Sequence, residues 1–210
     1  MTSRRCNTLF ALFLTPLLIG LCSDRAAAGP VTWVNETNQA SEADFVQLQS
    51  PTSLGTLVAG STSVNILGEV FEAGETESGG ANALILADLG YGAAGTDPRI
   101  DNSWVWLAAI FNTQLGNNDQ YRQQFVAPLV NGNYSYTFRF SVDGGATYTA
   151  ADLDGAGSSG SLVFDASQLG TFAVAGGTDP GPIATPEPAT LVLVSLGGLV
   201  AHVRRRHRRQ

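Results

Sequence analysis

YSYTFRFSV, residues 134–142, is the stretch on which the reading of the fold turns. Tyr134, Tyr136, Phe138, Phe140 and Val142 are large and apolar or aromatic, while Ser135, Thr137, Arg139 and Ser141 between them are polar. Successive side chains of a strand leave on opposite faces, so this period of two predicts one face in a core and the other in solvent. Asp143-Gly144-Gly145 supplies turn chemistry next, since glycine takes positive φ without a steric penalty. Thr147-Tyr148-Thr149 reads as the returning strand of a hairpin.

Working outward, similar runs predict strands at 31–35, 45–48, 54–58, 64–70, 83–91, 104–112, 121–127, 162–164 and 171–174. They are short, rich in β-branched and aromatic residues, and separated by Gly, Asn and Asp. Helical periodicity is nearly absent and no internal repeat is visible. The expectation is an all-β, antiparallel, Ig-like β-sandwich spanning residues 29–178.

Both ends of the chain depart from this pattern. Residues 1–28 place Arg4 and Arg5 before an apolar stretch at 9–21 and finish in the small residues Ala26-Ala27-Ala28, with Ala26 and Ala28 marking a cleavage site after residue 28. That is the layout of a cleavable secretory signal helix, which implies a translocon and a signal peptidase as partners. Both cysteines, Cys6 and Cys22, fall inside it, so the mature domain has no thiol and needs no disulfide. At the other end, residues 179–185 read as an extended linker and residues 186–210 as a membrane anchor. Pro186-Glu187-Pro188 is followed by an apolar run at 189–203 and then by Arg204, Arg205, Arg206, Arg208 and Arg209. Fifteen helical residues reach ~22 Å, short of the ~30 Å core of a typical bilayer. Snorkelling arginines and local thinning close the gap, and the arginines are expected to stay in the cytoplasm.

Composition removes whole classes of chemistry. Between residues 29 and 185 there are sixteen acidic residues against three basic ones, Arg99, Arg122 and Arg139, a formal charge of −13. Phosphate neutralisation needs a basic surface, so nucleic acid is excluded as a partner. The chain has no lysine, and its two histidines, His202 and His207, lie in the tail. Without His, Cys or Lys the domain has no Ser-His or Cys-His nucleophile, no Schiff base and no histidine-ligated zinc. Paired carboxylates, the one remaining route, need a cleft that a small sandwich with short loops seldom offers. We expect no enzyme and no catalytic residue.

Two constellations carry a binding reading beside a structural one. Trp104 and Trp106 share one face of a predicted strand, either as a glycan-stacking platform or as core. Asn117, Asp119, Asp152 and Asp154 lie in predicted oxygen-rich loops that suit calcium, although Asn and Asp also close turns through their own backbone. No other cofactor is expected. Arg139 is the only base on the polar face of the best strand and is expected to pair with a cross-strand carboxylate. Glu72, Glu75 and Glu77 read as a solvated loop.

The C-terminal order of Pro186-Glu187-Pro188, short apolar segment and arginine cluster resembles the PEP-CTERM sorting signal of bacterial exported proteins. That resemblance implies processing by an exosortase-type membrane enzyme. It also implies transient anchoring in the inner membrane, then residence in the envelope or outside the cell, often alongside extracellular polysaccharide. Residues 89–125 and 132–155, with Trp104-Val105-Trp106, Gly116-Asn117-Asn118-Asp119 and Asp152-Leu153-Asp154-Gly155, resemble an accessory β-sandwich module of secreted bacterial hydrolases. Together they imply an exported, envelope- or exopolysaccharide-associated surface protein with a non-catalytic structural or display role. The alternative is a stand-alone carbohydrate-binding module.

Overall fold

A computed structural model describes residues 31–34, 41–159 and 162–181. The expected signal helix with Ala26 and Ala28 lies outside those residues. So do most of the linker and the sorting segment, with Pro186, Glu187, Pro188, the arginines at 204–206, 208 and 209, and the expected membrane helix.

The described residues are all-β and form two sheets. The larger is built on β9 (Gly132–Ser141), the strand that contains the 134–142 alternation. β5 (Leu86–Ala93) runs antiparallel along one edge of β9, from Leu86 opposite Ser141 to Ala93 opposite Tyr134, and β6 (Val105–Ala108) lies outside β5. The other edge of β9 is shared. β10 (Thr147–Ala150) pairs with Phe140 and Arg139, and β11 (Gly170–Ala175) pairs with residues from Tyr136 to Gly132. β1 (Thr32–Trp33) extends β10, and β3 (Ser53–Val58) extends β11. The smaller sheet runs in the order β2 (Phe45–Ser50), β4 (Ile66–Phe71), β8 (Asn118–Gln123), β7 (Ile110–Leu115), all antiparallel.

Three expectations need correction. The larger sheet is not wholly antiparallel, because β1–β10 and β11–β3 are parallel pairs. Each joins strands distant in sequence, so no hairpin fixes their direction. The single strand expected at 104–112 is two strands in different sheets. The chain leaves the larger sheet at Ala108 and enters the smaller one at Ile110, with the Ala109 N–H held by the Ala87 carbonyl at 2.8 Å. No strand forms at 162–164, where Leu162 makes a lone bridge to Gly157.

The sheets enclose an aromatic core. Tyr136, Phe138 and Phe140 on β9 are completely buried. Tyr121 of β8 meets Phe140 edge-on at 5.9 Å, and Phe125 lies 4.9 Å from both Tyr91 and Phe172. The inward phase of β9 is therefore as expected. Its other face is not in solvent, however: Ser135, Thr137, Arg139 and Ser141 are at most 5% exposed. A second layer covers them, in which the Thr137 hydroxyl donates to the Ala151 carbonyl and aromatic rings pack over Arg139.

The chain leaves the sandwich from a fixed point. The Thr178 N–H donates to the Leu129 carbonyl and Asn131 N–H to the Thr178 carbonyl, both at 2.8 Å. The Asn131 amide also donates to Asp179 at 2.7 Å.

Candidate functional site

The layer over β9 is assembled by alternation in three strands. Arg139 stands opposite Asp88 in the β9–β5 register. Its Nε and Nη2 each lie 2.9 Å from Asp88 Oδ2, and both side chains are almost fully buried. This is the cross-strand carboxylate expected for Arg139. The guanidinium carbon lies 4.3 Å from the ring centre of Trp106, 4.4 Å from Tyr148 and 5.8 Å from Trp33. Such contacts gain when the cation is desolvated, as here.

Trp104 and Trp106 do come together, stacked 5.8 Å apart at 27°, with Trp33 beyond Trp106 at 5.8 Å. Gly90 and Gly92 on β5 make room for them. A Cβ on Gly90 would lie 2.5 Å from the Trp106 ring, and one on Gly92 would lie 2.4 Å from Trp104 Nε1. Trp104 is buried and donates from Nε1 to the Thr96 hydroxyl at 2.9 Å. Trp106 is half-buried among Trp104, Trp33 and Arg139. The cluster is thus packed largely within itself. Trp33 and Tyr148 entered it without a signal in the local sequence, since both arrive through the β1–β10 pairing.

The residues singled out for calcium are not brought together. Among the described residues, no three His, Cys, Asp or Glu side chains form a group that could hold a metal. Asn117 is in the two-residue turn between β7 and β8, but Asp119 belongs to β8 rather than to a loop. It shares the inward face with Tyr121, is fully buried, and neither carboxylate oxygen has a hydrogen-bond partner. Burial pushes its carboxyl up to about 6. Asp152 is also buried, but it is satisfied: Oδ1 accepts from the Gly155 N–H at 2.7 Å and Oδ2 from the Asp165 N–H at 2.8 Å. Burial raises its carboxyl, against the lowering effect of those bonds. Asp154 beside it is exposed.

Most other acids fold the backbone around themselves. Asp143 accepts from the Ala146 and Thr147 N–H groups and from the hydroxyls of Ser141 and Thr147. Burial pushes its carboxyl up, but these bonds outweigh it and hold the group below the usual range. In the 72–77 segment, Glu72 accepts from the Asp44 N–H, Asp44 from the Ala73 N–H, and Glu77 from the Gly74 N–H. The segment is the loop expected from the sequence, with Glu77 exposed and Glu72 and Glu75 half-buried, and these bonds order it.

The outer face of the smaller sheet carries a polar row that sequence reading missed. Asn112 donates to Gln120, Gln120 to Gln49, and Gln49 to Glu69 at 3.0 Å. The row crosses β7, β8, β4 and β2, and burial raises the Glu69 carboxyl.

Beyond this domain, residues 184–209 match the PEP-CTERM protein-sorting motif. The chain carries a PEP-CTERM sorting signal. Such a signal marks an exported protein sorted at the membrane and processed by exosortase, a membrane enzyme. The chain is also similar to three amylopullulanases. It is 27% identical over 139 residues to that of Thermoanaerobacterium saccharolyticum, covering 60% of this chain and 10% of the relative. It is 29% identical over 138 residues to that of Thermoanaerobacterium thermosulfurigenes, and 28% over 137 residues to that of Thermoanaerobacter thermohydrosulfuricus. The chain thus spans a tenth or less of each relative's length. The PEP-CTERM signal and this partial similarity agree with the two resemblances read from the sequence.

Proposed function

We propose that this PEP-CTERM protein is a non-catalytic surface protein, a β-sandwich delivered to the cell envelope or the surrounding polysaccharide for a structural or display role. The observation that carries the proposal is how the acids are used. In a domain without His, Cys or Lys, catalysis would fall to carboxylates. Here Asp44, Glu72, Glu77, Asp97, Asp101, Asp143, Asp152 and Asp165 accept backbone N–H groups, and Asp88 is bound to Arg139. A general acid or base must instead be free to reach substrate with a raised pKa. Hydrolysis assays on pullulan, amylose and exopolysaccharide from the producing cells test this. We expect no release of reducing sugar, and release abolished by a single Asp→Asn or Glu→Gln change would overturn the proposal.

The similarity to amylopullulanases favours a second reading, a stand-alone carbohydrate-binding module. Asn112, the exposed end of the amide row on the smaller sheet, offers a hydroxyl-binding group, whereas Trp104 offers no exposed ring. Affinity electrophoresis in gels containing pullulan or amylose separates the readings. Retardation lost in Asn112→Ala supports binding, and unchanged mobility supports the structural role.

A further inference from the structure

Asp119 poses a problem that the rest of the domain does not solve. A fully buried carboxylate without a partner is among the costliest groups a fold can contain, and this one has two unpartnered oxygens. Gln114 stands directly opposite it in the β7–β8 register, so both side chains leave on the same face of the sheet. The Gln114 amide nitrogen is fully engaged, donating to the Thr76 carbonyl at 2.5 Å and the Gly116 carbonyl at 3.0 Å. Its Oε1 is buried and, like the two Asp119 oxygens, has no donor. Three acceptor oxygens on two facing residues thus lack any hydrogen-bond partner.

No side chain of the described domain is placed to supply one. Arg139 is bound to Asp88 and Arg99 to Asp97. Arg122 is three residues along β8 and therefore leaves on the opposite face, opposite Leu67 and Ile110. Tyr121 shares the face, but its hydroxyl is directed at the Ile85 carbonyl at 3.5 Å. Oxygen-only acceptors carrying one negative charge suit a hard cation, and the surplus of acids over bases across the domain raises the local concentration of cations.

We propose that Asp119 and Gln114 are the protein ligands of a hard-cation site, for calcium or sodium, between β7 and β8. The site is independent of the proposed surface role and differs from the set Asn117, Asp119, Asp152 and Asp154 expected from the sequence, keeping only Asp119.

The test uses the full chain in neutral detergent, stripped with EDTA into a choline-based, sodium-free buffer, with thermal unfolding followed by tryptophan fluorescence. Calcium chloride and sodium chloride are added in separate arms, with choline chloride balancing ionic strength. We expect a saturable rise in Tm with one of them, roughly 5–10 °C at a hundredfold excess over its Kd. The arm that responds identifies the ion. Asp119→Asn keeps the shape, removes the charge and should abolish the rise, while Asp154→Asn should keep it. Should Asp119→Asn fail to fold, Gln114→Ala serves in its place and should need a clearly higher ion concentration for the same rise. Calorimetry should give a stoichiometry of one for the responding ion. A Tm indifferent to both ions, or a rise undiminished in the Asp119 and Gln114 variants, overturns the proposal and leaves a buried water as the occupant.

Discussion

Arg139 and Asp88 face each other across β9 and β5, and both the Nε and Nη2 of the arginine converge on one carboxylate oxygen at 2.9 Å. The pair is sealed beneath Trp106, Tyr148 and Trp33. Removing either partner strands the other charge in a buried layer. Arg139→Ala or Asp88→Ala should each cost ~3–5 kcal/mol, and the double change should cost less than the sum. A double-mutant cycle by urea denaturation measures this, and additive costs would rule out the coupling. Arg139→Lys should not rescue, because lysine lacks the planar guanidinium that stacks on rings.

The fit between Gly90 and Trp106 gives a second expectation. Adding one methyl places it 2.5 Å from the indole, so Gly90→Ala should displace the ring. Overpacking of this kind costs ~1–3 kcal/mol. All three tryptophans of the chain belong to this cluster, so their emission reports on it directly. A red shift is expected in the variant, and an unchanged spectrum with unchanged stability would contradict the packing.

Phe138 is the centre of the alternation from which the fold is read, and it is fully buried. Phe138→Ala should cost ~3–5 kcal/mol, a large share of the ~5–15 kcal/mol typical of a domain. Phe138→Leu should cost clearly less. Equal losses in the two variants would mean that ring packing is not what stabilises this position.

Asp119 gives a pH signature in EDTA-treated, cation-depleted protein. Its carboxyl stands at about 6 in the fold against an ordinary 3.8, so the folded state holds the proton more tightly than the unfolded chain. The group's contribution therefore becomes less favourable as pH rises from near 4 to near 6, and is level above that. Asp119→Asn should change stability little at pH 3.5 and raise it at pH 7.5, with the difference appearing between those limits. Chemical denaturation across that range checks it, and a difference independent of pH would contradict the buried, unpartnered carboxylate.

The parts of this fold that were legible in the sequence are those fixed by local rules. The period of two in 134–142 gave the phase of β9, and Asp143-Gly144-Gly145 the turn to β10. The lone base on the polar face of that strand implied a carboxylate across from it, which is Asp88. What was not legible depends on distant segments. Nothing in Trp33 or Tyr148 announces that a parallel pairing will bring them onto Arg139. Trp104-Val105-Trp106 gave no sign that the chain would change sheets four residues later, at Ile110. Asp119 follows a glycine-led turn and reads as part of a loop. Only the pairing of Leu115 with Asn118 moves it into a strand and turns it inward. The sorting signal was read from order and composition alone, because its three parts are contiguous.

The measurement that tests the surface-protein account most directly is intact-mass and terminal-peptide mass spectrometry of the exported protein, recovered from the envelope and the medium. Mature molecules should begin after Ala28 and end at or near Pro186-Glu187-Pro188, without the arginine tail. Replacing the three residues with alanine should leave the unprocessed C-terminus in the membrane fraction. Mature surface protein that retains Gln210, or processing indifferent to that replacement, would contradict the account.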